Sequence, residues 1–232
     1  MPMTVTPCGM NEGSKSPPLS VFVDLDNTLV FQSLWINHPA RRELERQGHS
    51  PYKLSSLSPN RINALLPEGT RVFNSKGFVV AVRRRPHARA FLEALQGLVG
   101  PLCCLTMGRT AHQQKVLHHA GLNGHFAEVV GRDRFQDLVD QKGKDWLLID
   151  DLPVQDPNLV KKLYALGIVS NKNLTVFDPK GPPDDPELDA ASQRLVVVPS
   201  YDGEIEDDGL NRVMREVEDK IRTLGRVKGS RC

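Results

Sequence analysis

The feature that most constrains this chain is the stretch VFVDLDNTLV at residues 21–30. A run of strand-forming apolar residues from Leu19 to Val23 stops abruptly at Asp24, and Asp26 and Thr28 follow at alternate positions. A short strand with apolar residues at both alternate positions reads as one buried on both faces, as in a parallel sheet covered by helices. Two more such runs end in polar groups: PLCCLT closes on Thr106, and DWLLID closes on Asp150 and runs into Asp151. In an open parallel sheet, ligands gather beyond the carboxyl ends of the strands. The three endings therefore point to one site.

The rest of the chain fits that frame. From residue 86 onward, apolar strands alternate with helical patterns: a helix opened by Pro86, the strand PLCCLT, and the helix AHQQKVLHHA stopped by Gly121. FAEVVG follows as a short strand, 134–141 as a short helix, DWLLID as a strand and PNLVKKLYALG as a helix. LTVFD reads as extended, 178–193 as a proline-rich loop, RLVVVP as the last strand and DGLNRVMREVEDKIRTL as a closing amphipathic helix. The pattern predicts a Rossmann-like α/β fold with a mainly parallel sheet between helices. Residues 31–85 break it. Their first part, to about Gly69, is polar and proline-rich with short helices at PARRELERQG and PNRINALL, and TRVFNSKGFVVAVR reads as a hairpin turning at Asn74–Gly77. We read 19–232 as a single domain with 31–85 as a small cap-like insert, and 1–18 as a loose tail.

Composition sets limits. A formal net charge of +2 gives no support to direct nucleic-acid binding, and no apolar run is long enough to span a membrane. The four cysteines form no CxxC pair, and the adjacent Cys103 and Cys104 read as small core residues of a reduced, cytoplasmic protein, with the nucleus as the alternative for a eukaryotic source. Arg83, Arg84 and Arg85 alternate on a strand, and two of the three are expected to be solvated. His118 and His119 read as surface residues, and Trp35 and Trp146 as packing residues.

The residue types at the strand ends suit phosphoryl transfer. A carboxylate can attack phosphorus to give an aspartyl-phosphate, splitting hydrolysis into two easier displacements. A second carboxyl can protonate the leaving oxygen and later deprotonate water. Further carboxylates can hold Mg²⁺ to offset the repulsion between nucleophile and phosphate, and a hydroxyl and backbone N–H groups can hold the phosphoryl oxygens.

DLDNTLV matches the DxDxT motif of the haloacid dehalogenase (HAD) superfamily. RRRPHARAFLEAL, LTMGRTAHQQKVL, GHFAEVVGRDRF, LLIDDLP and VVVPSYDGEIEDDGLNRVM resemble, in order, stretches of the FCP/SCP phosphatases of the RNA polymerase II C-terminal domain, a group that includes NLI-interacting-factor-like phosphatases. The resemblance covers roughly 19–30 and 78–225, and it implies a HAD fold. It also implies Asp24 as nucleophile and Asp26 as general acid/base, with Asp24, Asp26 (through its carbonyl), Asp150 and Asp151 on Mg²⁺. Thr28 would orient the loop beside the phosphate, and Thr106, with Met107 and Gly108, would bind the phosphoryl oxygens. The implied substrate is a phosphorylated protein or peptide.

The superfamily's phosphate-steadying lysine has no clear counterpart upstream of Asp150. Lys142 and Lys144 fall at the far end of the sheet, so Arg134 is expected to take the role, with Arg132 second. Two alternatives stand beside this reading: a HAD phosphatase for a small metabolite, nucleotide or nucleic-acid 3′-phosphate, and a catalytically silent phospho-binding module.

Overall fold

The computed structural model describes residues 19–141, 145–170 and 185–226. The chain enters through β1 (Ser20–Val23) and leaves the main sheet at once for an insert. The insert runs through β2 (Val30–Leu34), α1 (Pro39–Arg46), α2 (Pro51–Ser56), α3 (Pro59–Asn63), β3 (Thr70–Ser75) and β4 (Phe78–Arg84). Strands and helices then alternate as α4 (Ala88–Val99), β5 (Leu102–Thr106), α5 (Thr110–Ala120) and β6 (Phe126–Gly131). A 3₁₀ segment (Arg132–Gln141) leads to β7 (Trp146–Asp150), followed by α6 (Pro157–Ala165), α7 (Pro186–Ser192), β8 (Leu195–Val197) and α8 (Gly209–Arg226).

Five strands form a sheet in the order β6-β5-β1-β7-β8, and every pairing in it is parallel. β1 is central, and successive strand faces feed two cores. Val21, Val23, Cys104, Leu147 and Ile149 pack with Phe91 and Leu92 of α4, Val116 and Leu117 of α5 and Val217 of α8. Phe22, Leu105, Trp146 and Leu148 face the other way, onto Leu159 and Leu163 of α6 and Leu188 of α7. Cys103 and Cys104 point to opposite faces accordingly, and burial pushes the Cys103 thiol up to about 12. Proline opens the first turn of α1, α2, α3, α6 and α7, where its missing N–H costs nothing. Asp156 and Asp185 cap α6 and α7 through their side chains.

The insert has its own antiparallel sheet, ordered β2-β4-β3. One side of it closes over Trp35, Leu44, Leu54, Ile62 and Val72. From the other side, Val30, Phe73, Val80 and Val82 join the main core. The hairpin turn is the pair Lys76-Gly77 alone, with φ of 49° and 83°, as the twist of a two-residue turn demands; Asn74 and Ser75 belong to β3.

Three sequence expectations change. Residues 186–192, read as loop, are helical, because Asp185 and Pro186 supply an N-terminus and Leu188 and Ala191 a buried face. The short helix before β7 is 3₁₀ and begins at Arg132. Two of the three strand arginines are buried rather than solvated, Arg83 at 4% and Arg85 at 1% exposure. Arg83 pairs with both carboxylate oxygens of Glu43 at 2.9 and 2.8 Å, and Arg85 with both of Asp207 at 3.0 and 3.1 Å. The 1–18 tail, the strand LTVFD, Lys142 and Lys144 lie outside the described residues. Among the described residues no helix is long and apolar enough to cross a membrane.

Candidate active site

Strand order reverses at β1, since the chain builds outward through β5 and β6 and then returns to β1's other side with β7. The carboxyl ends of these three central strands deliver Asp24, Thr106 and Asp150. The Asp24 N–H donates to the Ile149 carbonyl at 2.8 Å, extending the ladder just far enough to fix the first acid beside β7. The chain then doubles back. Leu29 and Val30 both donate to the Leu25 carbonyl at 2.9 and 3.1 Å, and Asn27 sits at φ 60°, a left-handed conformation that asparagine tolerates. Arg85 donates to the Thr28 carbonyl at 3.1 Å, tying this loop to the end of the insert.

Lys162 lies at the centre of the site. Its Nζ reaches Asp24 Oδ1 at 2.5 Å and Asp150 Oδ2 at 2.7 Å, and it is 1% exposed. α6 begins near the β7 end, and side chains on a helix tilt toward its N-terminus, so a lysine in its second turn reaches back to the strand ends. Burial would lower the Lys162 pKa, but Asp24 and Asp150 outweigh it and hold the ammonium above its ordinary range. Burial pushes the Asp24 carboxyl up, with Lys162 opposing. Asp151 is raised by burial and by Asp150, while Ser200 donates to its Oδ2 at 3.0 Å. The Thr28 hydroxyl stands 3.4 Å from both Asp24 Oδ2 and Asp151 Oδ1.

One oxygen from each of Asp24, Asp150 and Asp151 lies within 4.8 Å of the others. Three carboxyl groups share a single ammonium, a deficit of positive partners where Asp24 and Asp150 are buried. Hard oxygen donors with that deficit fit a small divalent cation such as Mg²⁺. The Asp26 carboxylate stands outside this group and has a different shell. Gln32 Nε2 donates to its Oδ1, Gln113 Nε2 donates to its Oδ2 at 2.6 Å, and Thr106 Oγ1 lies 3.5 Å from Oδ2. Burial raises the Asp26 pKa above the usual carboxylate range, against the two amides that favour the ion.

Gly108 is required by this packing, since a Cβ there would meet Gln113 Nε2 at 2.0 Å. Its N–H donates to Thr106 Oγ1 at 3.1 Å, so that donor serves the loop. Met107 is half-buried beside it.

The arginines expected at the phosphate are elsewhere. Arg134 points away to Glu128 at 2.9 Å and Asp137 at 2.7 Å, and Arg132 is exposed. The 3₁₀ segment aims Arg134 along the surface beside β6. The cation on Asp24 comes from the helix after β7, not from the segment before it. A signal for it was present: Leu159, Leu163 and Leu166 form the buried stripe of α6, and Lys162 falls on that stripe. Gln113 likewise interrupts the stripe of Val116, Leu117 and Ala120 in α5.

No protein-family model matches the chain, and no curated protein matches it. Among solved structures it is similar to the fission yeast RNA polymerase II CTD phosphatase Fcp1 bound to beryllium fluoride, at 17% identity and a TM-score of 0.45 over 90% of this chain. The match spans 51% of that longer protein. It is also similar to a putative β-phosphoglucomutase from Thermotoga maritima, at 16% identity and a TM-score of 0.41, covering 86% of this chain and 99% of the other. A third likeness is to a HAD family hydrolase from Deinococcus radiodurans with bound phosphate and sodium, at 16% identity and a TM-score of 0.42, covering 91% and 98%.

Proposed function

We propose that this chain is a Mg²⁺-dependent phosphomonoester hydrolase of the HAD type, working through an aspartyl-phosphate on Asp24. One observation carries the reading: a buried ammonium, Lys162, bridges the carboxylates ending two adjacent central strands, while a second acid, Asp26, is held apart in its own shell. That division separates a nucleophile kept in register from a group that can exchange protons.

Asp24 attacks phosphorus in line, and the bond to the leaving oxygen breaks as Asp26 supplies its proton. Water then attacks the aspartyl-phosphate, giving a proton to Asp26 and releasing Asp24 and phosphate. Lys162 orients Asp24 and offsets negative charge beside the phosphoryl group. Asp24, Asp150 and Asp151 would hold Mg²⁺, which when bound supplies the remaining charge compensation between carboxylate and phosphoryl oxygens. Lys162 stands beside Asp24 where the sequence showed no lysine, which favours turnover over a silent phospho-binding module.

The substrate class follows the motif resemblance: a phosphoserine or phosphothreonine side chain in a protein. A Mg²⁺-supplemented panel of phosphopeptides, nucleotides, 3′-phosphorylated oligonucleotides and sugar phosphates tests both levels. Turnover that disappears with EDTA and in Asp24→Asn supports the reaction, and preference for phosphopeptides supports the substrate. Selective turnover of metabolites would replace the substrate assignment. Activity surviving both treatments would remove the reaction itself.

A further inference from the structure

Asp26 belongs to the core, but one of its two carboxyl oxygens is held from the insert. Gln32 sits in the middle of β2, and its amide nitrogen donates to Asp26 Oδ1. Its amide oxygen lies 3.0 Å from His112 Nε2 in the first turn of α5. His112 Nδ1 in turn lies 3.2 Å from the hydroxyl of Ser75, the last residue of β3. A line of polar contacts thus runs from the hairpin end, through a core helix and back to the insert, before reaching Asp26.

The sense of these bonds follows from their last member. A carboxylate accepts only, so the nitrogen end of Gln32 must face it. The oxygen end then needs a donor, which places the hydrogen of His112 on Nε2. In the neutral ring, Nδ1 is then the acceptor of the Ser75 hydroxyl. A primary amide is nearly symmetric in shape and opposite in polarity at its two ends. Without His112 its oxygen loses its donor, and the amide, left with Asp26 and a 3.4 Å contact of its nitrogen to Gln113 Oε1, can swing out of line. Gln113 and Thr106 would then hold the carboxyl by one oxygen only.

We infer that His112 is a positioning residue for proton transfer, and that the insert, through Ser75, His112 and Gln32, sets the orientation of the Asp26 carboxyl. The inference rests on the proposed role of Asp26 as acid/base.

The test compares kcat/KM for phenyl phosphate and 4-nitrophenyl phosphate, with Mg²⁺, in the full chain. The more basic phenolate needs a proton as it leaves, and nitrophenolate needs one far less. His112→Ala and Gln32→Ala are expected to lower the value for phenyl phosphate about tenfold and that for 4-nitrophenyl phosphate less than about threefold, since misplacing an acid forfeits part of a larger total contribution. Ser75→Ala should show the same selectivity, a larger loss on phenyl phosphate than on 4-nitrophenyl phosphate, at a smaller size, and His112→Gln, which restores a donor, should recover part of the loss. It also decides the matter if the larger truncations do not fold. Equal losses on the two esters, with the wild type active, would overturn this inference and leave the proposed function standing. A wild-type chain inactive on both esters would remove the proposed function, and this inference with it.

Discussion

Replacing Lys162 with methionine keeps most of the side-chain volume and removes the charge. In the native site the ammonium lies 2.5 Å from Asp24 and 2.7 Å from Asp150, with the lysine 1% and Asp150 0% exposed. Truncating one partner of a buried ion pair leaves an uncompensated charge and costs about 3–5 kcal/mol. Here two carboxylates lose the same partner, so the upper part of that range is expected at pH 8. The loss should depend on pH in a stated direction. Burial already raises the Asp24 carboxyl, and Lys162 is the strongest influence opposing it. Without the ammonium, the folded state holds the Asp24 proton more tightly than the unfolded chain does. The variant is then relieved at low pH and loses stability as pH rises through the folded Asp24 value. Urea unfolding followed by the fluorescence of Trp146, buried at the start of β7, measures both quantities. The gap from wild type should be smaller at pH 5 than at pH 8, and Mg²⁺ should narrow it at pH 8 by replacing the missing charge. A loss below about 1 kcal/mol at pH 8, the scale of an ordinary surface change, would refute the reasoning, as would a gap equal at both pH values.

Arg134→Ala should leave kcat and KM unchanged, because its guanidinium is committed to Glu128 and Asp137 at the surface; steady-state kinetics on 4-nitrophenyl phosphate checks this. His38 supplies a second pH signature. It is fully buried, its Nδ1 accepts from the Ala40 N–H at 3.1 Å to cap α1, and Phe31, Arg83 and Glu43 surround it. Burial, then Arg83, lowers its pKa from 6.5 to about 4. The folded state therefore favours the neutral ring, and its contribution is complete above pH 6.5 and is lost as pH falls toward 4. Over that interval wild type should lose about 3 kcal/mol more than His38→Asn, which keeps a cap and does not titrate. Parallel stability curves for the two proteins would exclude this.

Local pattern made the sheet readable before any coordinates. Strands such as SVFV and WLLI are apolar on both faces, and only a covered parallel sheet accommodates that. Asp24, Thr106, Asp150 and Asp151 were legible because each directly ends or follows such a strand. Groups that reach the site across the fold were not. Lys162 meets Asp24 across 138 residues, and Gln113 meets Asp26 across 87. What the sequence does contain of them is a polar residue on an otherwise apolar helical stripe, which identifies an anomaly without naming its partner. The arginine run failed for the same reason. Alternation along β4 separates Arg83 from Arg84, but only Glu43 and Asp207, 40 and 122 residues away from their partners, make burial of Arg83 and Arg85 tolerable.

The insert leaves and rejoins the core at neighbouring points, since Val30 pairs with Arg84 and the Arg85 N–H donates to the Leu29 carbonyl at 2.9 Å. An excursion with adjoining ends can be lengthened, shortened or exchanged while the strands beneath keep their register. Asp24, Asp150, Asp151 and Lys162 would pass through such an exchange untouched. Gln32 would not. Under the proposed function, the attacking group then travels with the scaffold, and the handling of the proton can change with each new excursion.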